Sequence, residues 1–379
     1  PPIGSGRAGA LYALAVSPDF QLAAVGGYES SGNNHGIYLI NLRDHRVIHV
    51  LRGHTNVVID LVFSRDGRWM ASASADKTAR IWDLASFRCR ATLRGHRDGV
   101  YGVAFSPDSE LLATASLDKH LRIWQVHARE EAVMDLPHEA GLQTVAWSRD
   151  GQRLATGCVD QSIYIWSHVG QLVRRLERLG NHVTAVSFSP DATELFFTLG
   201  GEESRDGGFL YSLDTLRRRL SLTGHENSVL SGDRSPNGQL AATADANGEI
   251  FLWRTEDGRL LYRLGSQSRR AWSVAWSEAG HAIAWGTASR YVDANRRGPL
   301  DTAFHLPELE FVPLVADHVQ RARDRTHQVR LKLGDTASVL ALLPNGRESR
   351  LRLRNRLDQV RCYTLLDDRT VAIGSDAGL

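Results

Sequence analysis

Residues 58–84 read VIDLVFSRDGRWMASASADKTARIWDL, and two further stretches lie over them without a gap. These are VYGVAFSPDSELLATASLDKHLRIWQV at 100–126 and LQTVAWSRDGQRLATGCVDQSIYIWSH at 142–168. The three starts are 42 residues apart, a spacing at which self-similarity marks a repeat architecture. Diverged copies begin near Leu11, Val183, Val229 and Ala271, giving seven in all.

Each copy reads as strands and turns. A β-branched or aromatic run ends in Ser-Arg-Asp-Gly or Ser-Pro-Asp, where Pro presets φ and Asp or Gly accepts the turn. A second run ends at Ala75-Asp76-Lys77-Thr78 or its equivalent, a third carries Ile-Trp, and a fourth leads into Gly-His, as at Gly95-His96. Four short strands bury too little surface to stand alone. Sheets arranged radially cover both faces of each against its neighbours and leave only short outer edges. The expected fold is therefore all-β. Residues 1–315 should form a seven-bladed β-propeller of four-stranded antiparallel blades.

Polar residues recur inside the copies, and buried polar groups are costly unless paired. The second copy carries His54, Ser72, Asp76 and Trp82; the third carries His96, Thr114, Asp118 and Trp124. The fourth carries His138, Thr156, Asp160 and Trp166. With Gly53-His54 and Trp82-Asp83 in full, the chain resembles the WD-repeat family. That resemblance implies a bonded chain in each set, from Asp to His, from His to the hydroxyl, and from the hydroxyl to the Trp ring N–H. A His, Ser and Asp also invite comparison with a nucleophilic triad. Recurrence in several blades argues against it, and so does the Trp ring occupying the hydroxyl. Each bond is worth a net ~1 kcal/mol, and truncating one member should cost roughly 1–3 kcal/mol.

The other copies depart from the pattern. The fifth keeps His182 and Thr198 but has Tyr211 in place of Trp. The sixth keeps His225, Thr243 and Trp253, with Asn247 where Asp is expected. The first has Ile40 at the Trp position, and the seventh lacks both His and Trp. Blades two to four should be the stiffest sector.

Partner-binding residues are sought where the copies differ. Five residues before each turn serine stand Tyr12, Ile59, Tyr101, Gln143, Thr184, Leu230 and Trp272. Their neighbours stay apolar, so this position escapes the core and should lie near the mouth of a central channel. Tyr12, Tyr101 and Trp272 are the anchor types that interfaces favour. Insertions fall between the second and third strands of blades one, five and seven. They bring Tyr28, Arg205, Arg290, Arg296 and Arg297; in the resembled family these loops open on the same face. Drift in surface loops is the plainer explanation.

The net charge of +2 gives no polyanion binder overall. Three scattered cysteines, Cys89, Cys158 and Cys362, suit a reducing compartment and have no metal-ligand spacing. No apolar run approaches the ~18 residues of a membrane span, and no signal peptide is seen. A soluble cytoplasmic protein without metal, cofactor or membrane association is expected. Pro1 at the start and Leu379 at the end read as cuts from something longer.

From about residue 316 the repeat is lost. Residues 320–361 hold eleven Lys or Arg against four Asp or Glu. The alternation Arg350-Leu351-Arg352-Leu353-Arg354 is that of a charged strand guarding an edge. Phosphate or an acidic partner is the alternative. Nucleic acid is disfavoured because stacking aromatics are not interleaved. Residues 359–378 resemble the opening of a fresh blade, so 316–379 is expected to be a basic β segment that starts a second propeller. This layout is similar to the propeller regions of large bacterial proteins fused to caspase-like peptidases or signalling NTPases. That resemblance implies a sensing or docking module. No Gly-rich phosphate loop and no Cys-His pair supports an enzyme. The expected partner is a protein or another domain of the same polypeptide.

Overall fold

Among the described residues, six repeat turns close on themselves. In blade two the Ser64 hydroxyl donates to the Asp66 carboxylate at 2.6 Å, and Trp69 N–H donates back to Ser64 Oγ at 2.9 Å. The same Ser-to-Asp bond recurs at Ser17, Ser106, Ser148 and Ser189, and Ser235 makes it to Asn237. A turn held this way sends the chain straight back as the neighbouring antiparallel strand.

The computed structural model describes residues 10–276, apart from residue 20 and stretches at 29–34, 43–45, 128–130, 202–205 and 266–269. Beyond residue 276 it describes the backbone of strands at 282–287, 311–313, 331–333, 338–342, 348–352, 360–365 and 371–375. The chain divides into two compact units, Pro1–Leu314 and Val315–Leu379. In the first, six sheets each hold four antiparallel strands in sequence order. They span 10–51, 58–93, 100–137, 142–176, 183–223 and 229–265.

The innermost strands are Ala10–Val16, Val58–Phe63, Val100–Phe105, Leu142–Trp147, Val183–Phe188, Val229–Arg234 and Ala271–Trp276. Each packs on the next, and Ala271–Trp276 packs on both Val229–Arg234 and Ala10–Val16, which closes the ring. The expectation of seven four-stranded blades is corrected here. The described residues contain six such blades. The seventh sheet has three strands, Ala271–Trp276, Ala282–Thr287 and the short Phe311–Pro313.

The core lies between blades rather than within one. Ala71, Ala73 and Ile81 of blade two pack against Val100, Val103, Phe105 and Trp124 of blade three. Small side chains on one second strand thus receive large ones from the neighbour, at crystal-like density. Trp82, Trp124 and Trp253 are fully buried, and full burial of a large apolar side chain stabilises by roughly 1.5–3 kcal/mol.

The second unit contains a three-stranded sheet of Leu331–Leu333, Ser338–Leu342 and Glu348–Arg352, and a hairpin of Val360–Leu365 with Val371–Ser375. The expectation that a second propeller starts here falls largely outside the described residues. Among the described residues no helix is long and apolar enough to cross a membrane.

Candidate docking site at the mouth of the channel

The repeated polar sets take different forms in different blades. In blade two, His54 Nδ1–H donates to Asp76 at 2.7 Å, and the Ser72 hydroxyl meets His54 Nε2 at 2.7 Å. The Trp82 ring N–H donates to Ser72 Oγ at 2.8 Å. Blade three repeats the chain through His96, Asp118, Thr114 and Trp124 at 2.8–2.9 Å. Burial lowers the pKa of both histidines, against the pull of their carboxylates. Burial alone would raise Asp76, but hydrogen bonds led by His54 hold it far below the usual carboxylate range.

Blade four corrects the expected chain. His138 Nδ1–H donates to the Leu136 carbonyl at 3.0 Å, and Asp160 instead accepts from Ser162 and Arg175. With Nδ1 protonated, His138 Nε2 is the acceptor, taking Trp166 Nε1–H at 3.1 Å and the Thr156 hydroxyl at 2.9 Å. The Trp therefore bonds to the histidine rather than to the hydroxyl. Burial pushes His138 down to about 4.

Blade six corrects it in the opposite direction. His225 Nδ1–H donates to Asp245 at 2.8 Å, Nε2 meets Thr243 at 2.6 Å, and Trp253 donates to Thr243 at 2.8 Å. Asn247 lies outside this set and bonds to Asn227. The turn was the missed signal. Three residues separate the second and third strands here, against four in blade two, so a carboxylate two positions earlier reaches the histidine. Blade five has no such chain: Thr198 bonds Thr184, His182 bonds Asn181, and Tyr211 bonds the Leu216 carbonyl. Complete sets thus stand in blades two, three and six, not two to four.

The variable position has a backbone cause. Every innermost strand carries a register shift at its start, between Leu11 and Ala13, Val58 and Asp60, Val100 and Gly102, Leu142 and Thr144, Val183 and Ala185, Val229 and Ser231, and Ala271 and Ser273. The skipped residues are Tyr12, Ile59, Tyr101, Gln143, Thr184, Leu230 and Trp272. A bulge leaves its extra residue unpaired and re-aims the side chain. All seven line a central cavity of about 950 Å³.

Around this end of the channel, the Tyr12 and Trp272 rings meet at 4.9 Å between centroids, and the Arg270 guanidinium lies 5.7 Å from the Trp272 ring. Tyr101 stands in the same wall. Trp272 Nε1 and Gln143 Oε1 are buried without a hydrogen-bond partner. Tyr28 ends its strand opposite Ala10. Arg205, Arg290, Arg296 and Arg297 lie outside the described residues. Deeper in the channel, burial lifts Asp60 to about 7, against the N–H donors of Val103 and Leu61. Among the described residues no group of three His, Cys, Asp or Glu could hold a metal ion.

A family model described as the IFT122 first β-propeller matches residues 10–295, well over half of the chain. The chain belongs to that family of WD-repeat β-propellers. Target of rapamycin complex subunit wat1 of Schizosaccharomyces pombe is similar, with 36% identity over 72 residues, 19% of this chain and 21% of that protein. Target of rapamycin complex subunit LST8 of Mus musculus is 35% identical over 74 residues, 20% of this chain and 22% of that protein. U3 small nucleolar RNA-associated protein 21 of Saccharomyces cerevisiae is 43% identical over 53 residues, 14% of this chain and 6% of that protein. The matches span about a fifth of these relatives or less, the length of one or two WD repeats.

Proposed function

We propose that this WD-repeat propeller is a non-catalytic scaffold whose protein partner seats on the bulged ring of Tyr12, Tyr101 and Trp272. The observation that carries this reading is that one backbone device puts a different side chain from each blade at one opening. Aromatic anchors that share their ring with the neutral Ile59, Gln143, Thr184 and Leu230 favour a protein surface over a charged polymer. The unpartnered Trp272 N–H and Gln143 carbonyl offer one donor and one acceptor to an inserted peptide backbone, and unpaired buried groups of this kind call for a partner. The relatives named as subunits of target of rapamycin complexes are in keeping with such a role. The finer reading is a cytoplasmic sensing module serving an effector elsewhere in the same polypeptide, and its support is the resemblance in repeat layout.

The test is photo-crosslinking from position 101 in cells, followed by Tyr101→Ala with Trp272→Ala. The wild-type ring should capture a protein that the double variant loses at an unchanged melting temperature. Equal capture by both would sink the proposal.

A further inference from the structure

The innermost strands end, far from the bulged ring, in a position that is aromatic in five sheets: Phe63, Phe105, Trp147, Phe188 and Trp276. Blade one has Val16 there, and blade six alone has an ionised side chain, Arg234. Its side chain is only 7% exposed. Arg234 Nε and Nη2 donate to the Gly238 carbonyl at 3.1 Å, and Nη2 also reaches Glu194 at 3.1 Å. Its Nη1 is buried with no hydrogen-bond partner. Glu194 is shared with Arg219, which donates to both of its oxygens, so one carboxylate serves two guanidiniums.

A further cation is drawn to the same turn. Arg149 of blade four reaches past blade five and donates from Nη1 to the Pro236 carbonyl at 3.1 Å. Pro236 and Gly238 belong to one turn, so two guanidiniums gather on carbonyls two residues apart. Arg149 and Arg234 both line this end of the channel, with Arg65 in the opposite wall. The turn carboxylates Asp66, Asp108, Asp150 and Asp191 accept their own serine hydroxyls rather than bonding to either guanidinium, and Asp191 acts on Arg234 through its charge alone. Of the acidic groups at this end, Glu194 is already engaged by Arg234 and Arg219, and the two oxygens of Asp233 accept the backbone N–H groups of Arg234 and Trp276. Burial lowers the pKa of Arg234, as expected of a cation taken from water with incomplete compensation.

The geometry points to an anion site at this end of the channel, in which Arg149 and Arg234 receive a single carboxylate or phosphate group. Guanidiniums suit this task because planar paired donors match two oxygens of such a group. The site is independent of the docking reading, since it lies at the other end of the strands. An innermost strand of six residues separates the two by roughly 15–20 Å at ~3.3 Å per residue.

The test is calorimetric titration of the whole chain with inorganic phosphate and, separately, with a tetraglutamate peptide, at fixed ionic strength. Wild type should bind at least one probe saturably. Arg149→Gln, whose side chain is exposed enough to leave folding intact, should weaken that binding tenfold or more, and Arg149→Lys should recover part of it. Phosphate binding alone would assign a phosphate-bearing ligand, and binding of both probes a carboxylate-tolerant one. Absence of saturable binding by wild type, or equal affinity in Arg149→Gln, would overturn the site. Loss of anion binding in the Tyr101→Ala, Trp272→Ala variant would also overturn it, by moving the ligand to the other mouth.

Discussion

His225 Nδ1 lies 2.8 Å from Asp245, a residue buried completely. The position that matches the carboxylates of blades two and three by spacing holds Asn247, whose side chain bonds Asn227 at the exposed surface. Asp245 also accepts the N–H groups of Asn247 and Glu249. It therefore holds the turn and the histidine together.

Asp245→Ala should destabilise the ring by roughly 2–3 kcal/mol, because His225 and two N–H groups lose a buried acceptor. Asn247→Ala should stay within about 0.5 kcal/mol, as exposed substitutions do. Urea unfolding of both variants checks the contrast. Equal costs would mean that Asn247 has the structural role after all.

His138 should make stability depend on acid. Its folded pKa of about 4 lies below the ordinary 6.5, so the unfolded chain binds more protons between these values. The stabilising contribution is full above 6.5 and is lost as pH falls through 4, up to roughly 3 kcal/mol. His138→Gln should flatten the stability curve of the wild type across this window. Parallel curves would show that the titration belongs elsewhere.

Asp60 works in the other direction. Burial raises its pKa from 3.8 to about 7, so the protonated form favours the fold. Its contribution is full below 3.8 and declines as pH rises through 7. Relative to Asp60→Asn, which holds no charge, the wild type should lose up to roughly 4 kcal/mol between pH 4 and pH 8. A difference between the two proteins that is constant with pH would refute this.

Gly157 marks a close approach of two blades. A Cβ there would stand 2.5 Å from Val183 Cγ1 and 2.7 Å from Thr144 Cγ2, where blades two, three and six carry Ala73, Ala115 and Ala244. Gly157→Ala should cost roughly 1–3 kcal/mol by overpacking. An unchanged thermal midpoint would show that blades four and five separate freely.

Much of this was legible along the chain. The 42-residue period, the Ser-to-Asp turns and the chains built on His54 and His96 follow from contacts within one repeat, where sequence spacing measures distance in space. Spacing failed at Asp245, where a shorter turn moved the carboxylate. It failed also at His138, where a backbone carbonyl displaced Asp160 as the partner.

The sequence by itself determined that each repeat is a sheet, that the sheets repeat, and which position varies among them. Only the tertiary structure decided that, among the described residues, six of these sheets have four strands and the seventh has three. It also showed that the variable residues are bulges aimed at one opening, and that Arg149 crosses a blade to join Arg234. Strand and turn formation depend on neighbours along the chain. Ring closure and the meeting of Tyr12 with Trp272 depend on residues far apart in sequence, and no local pattern encodes their distance.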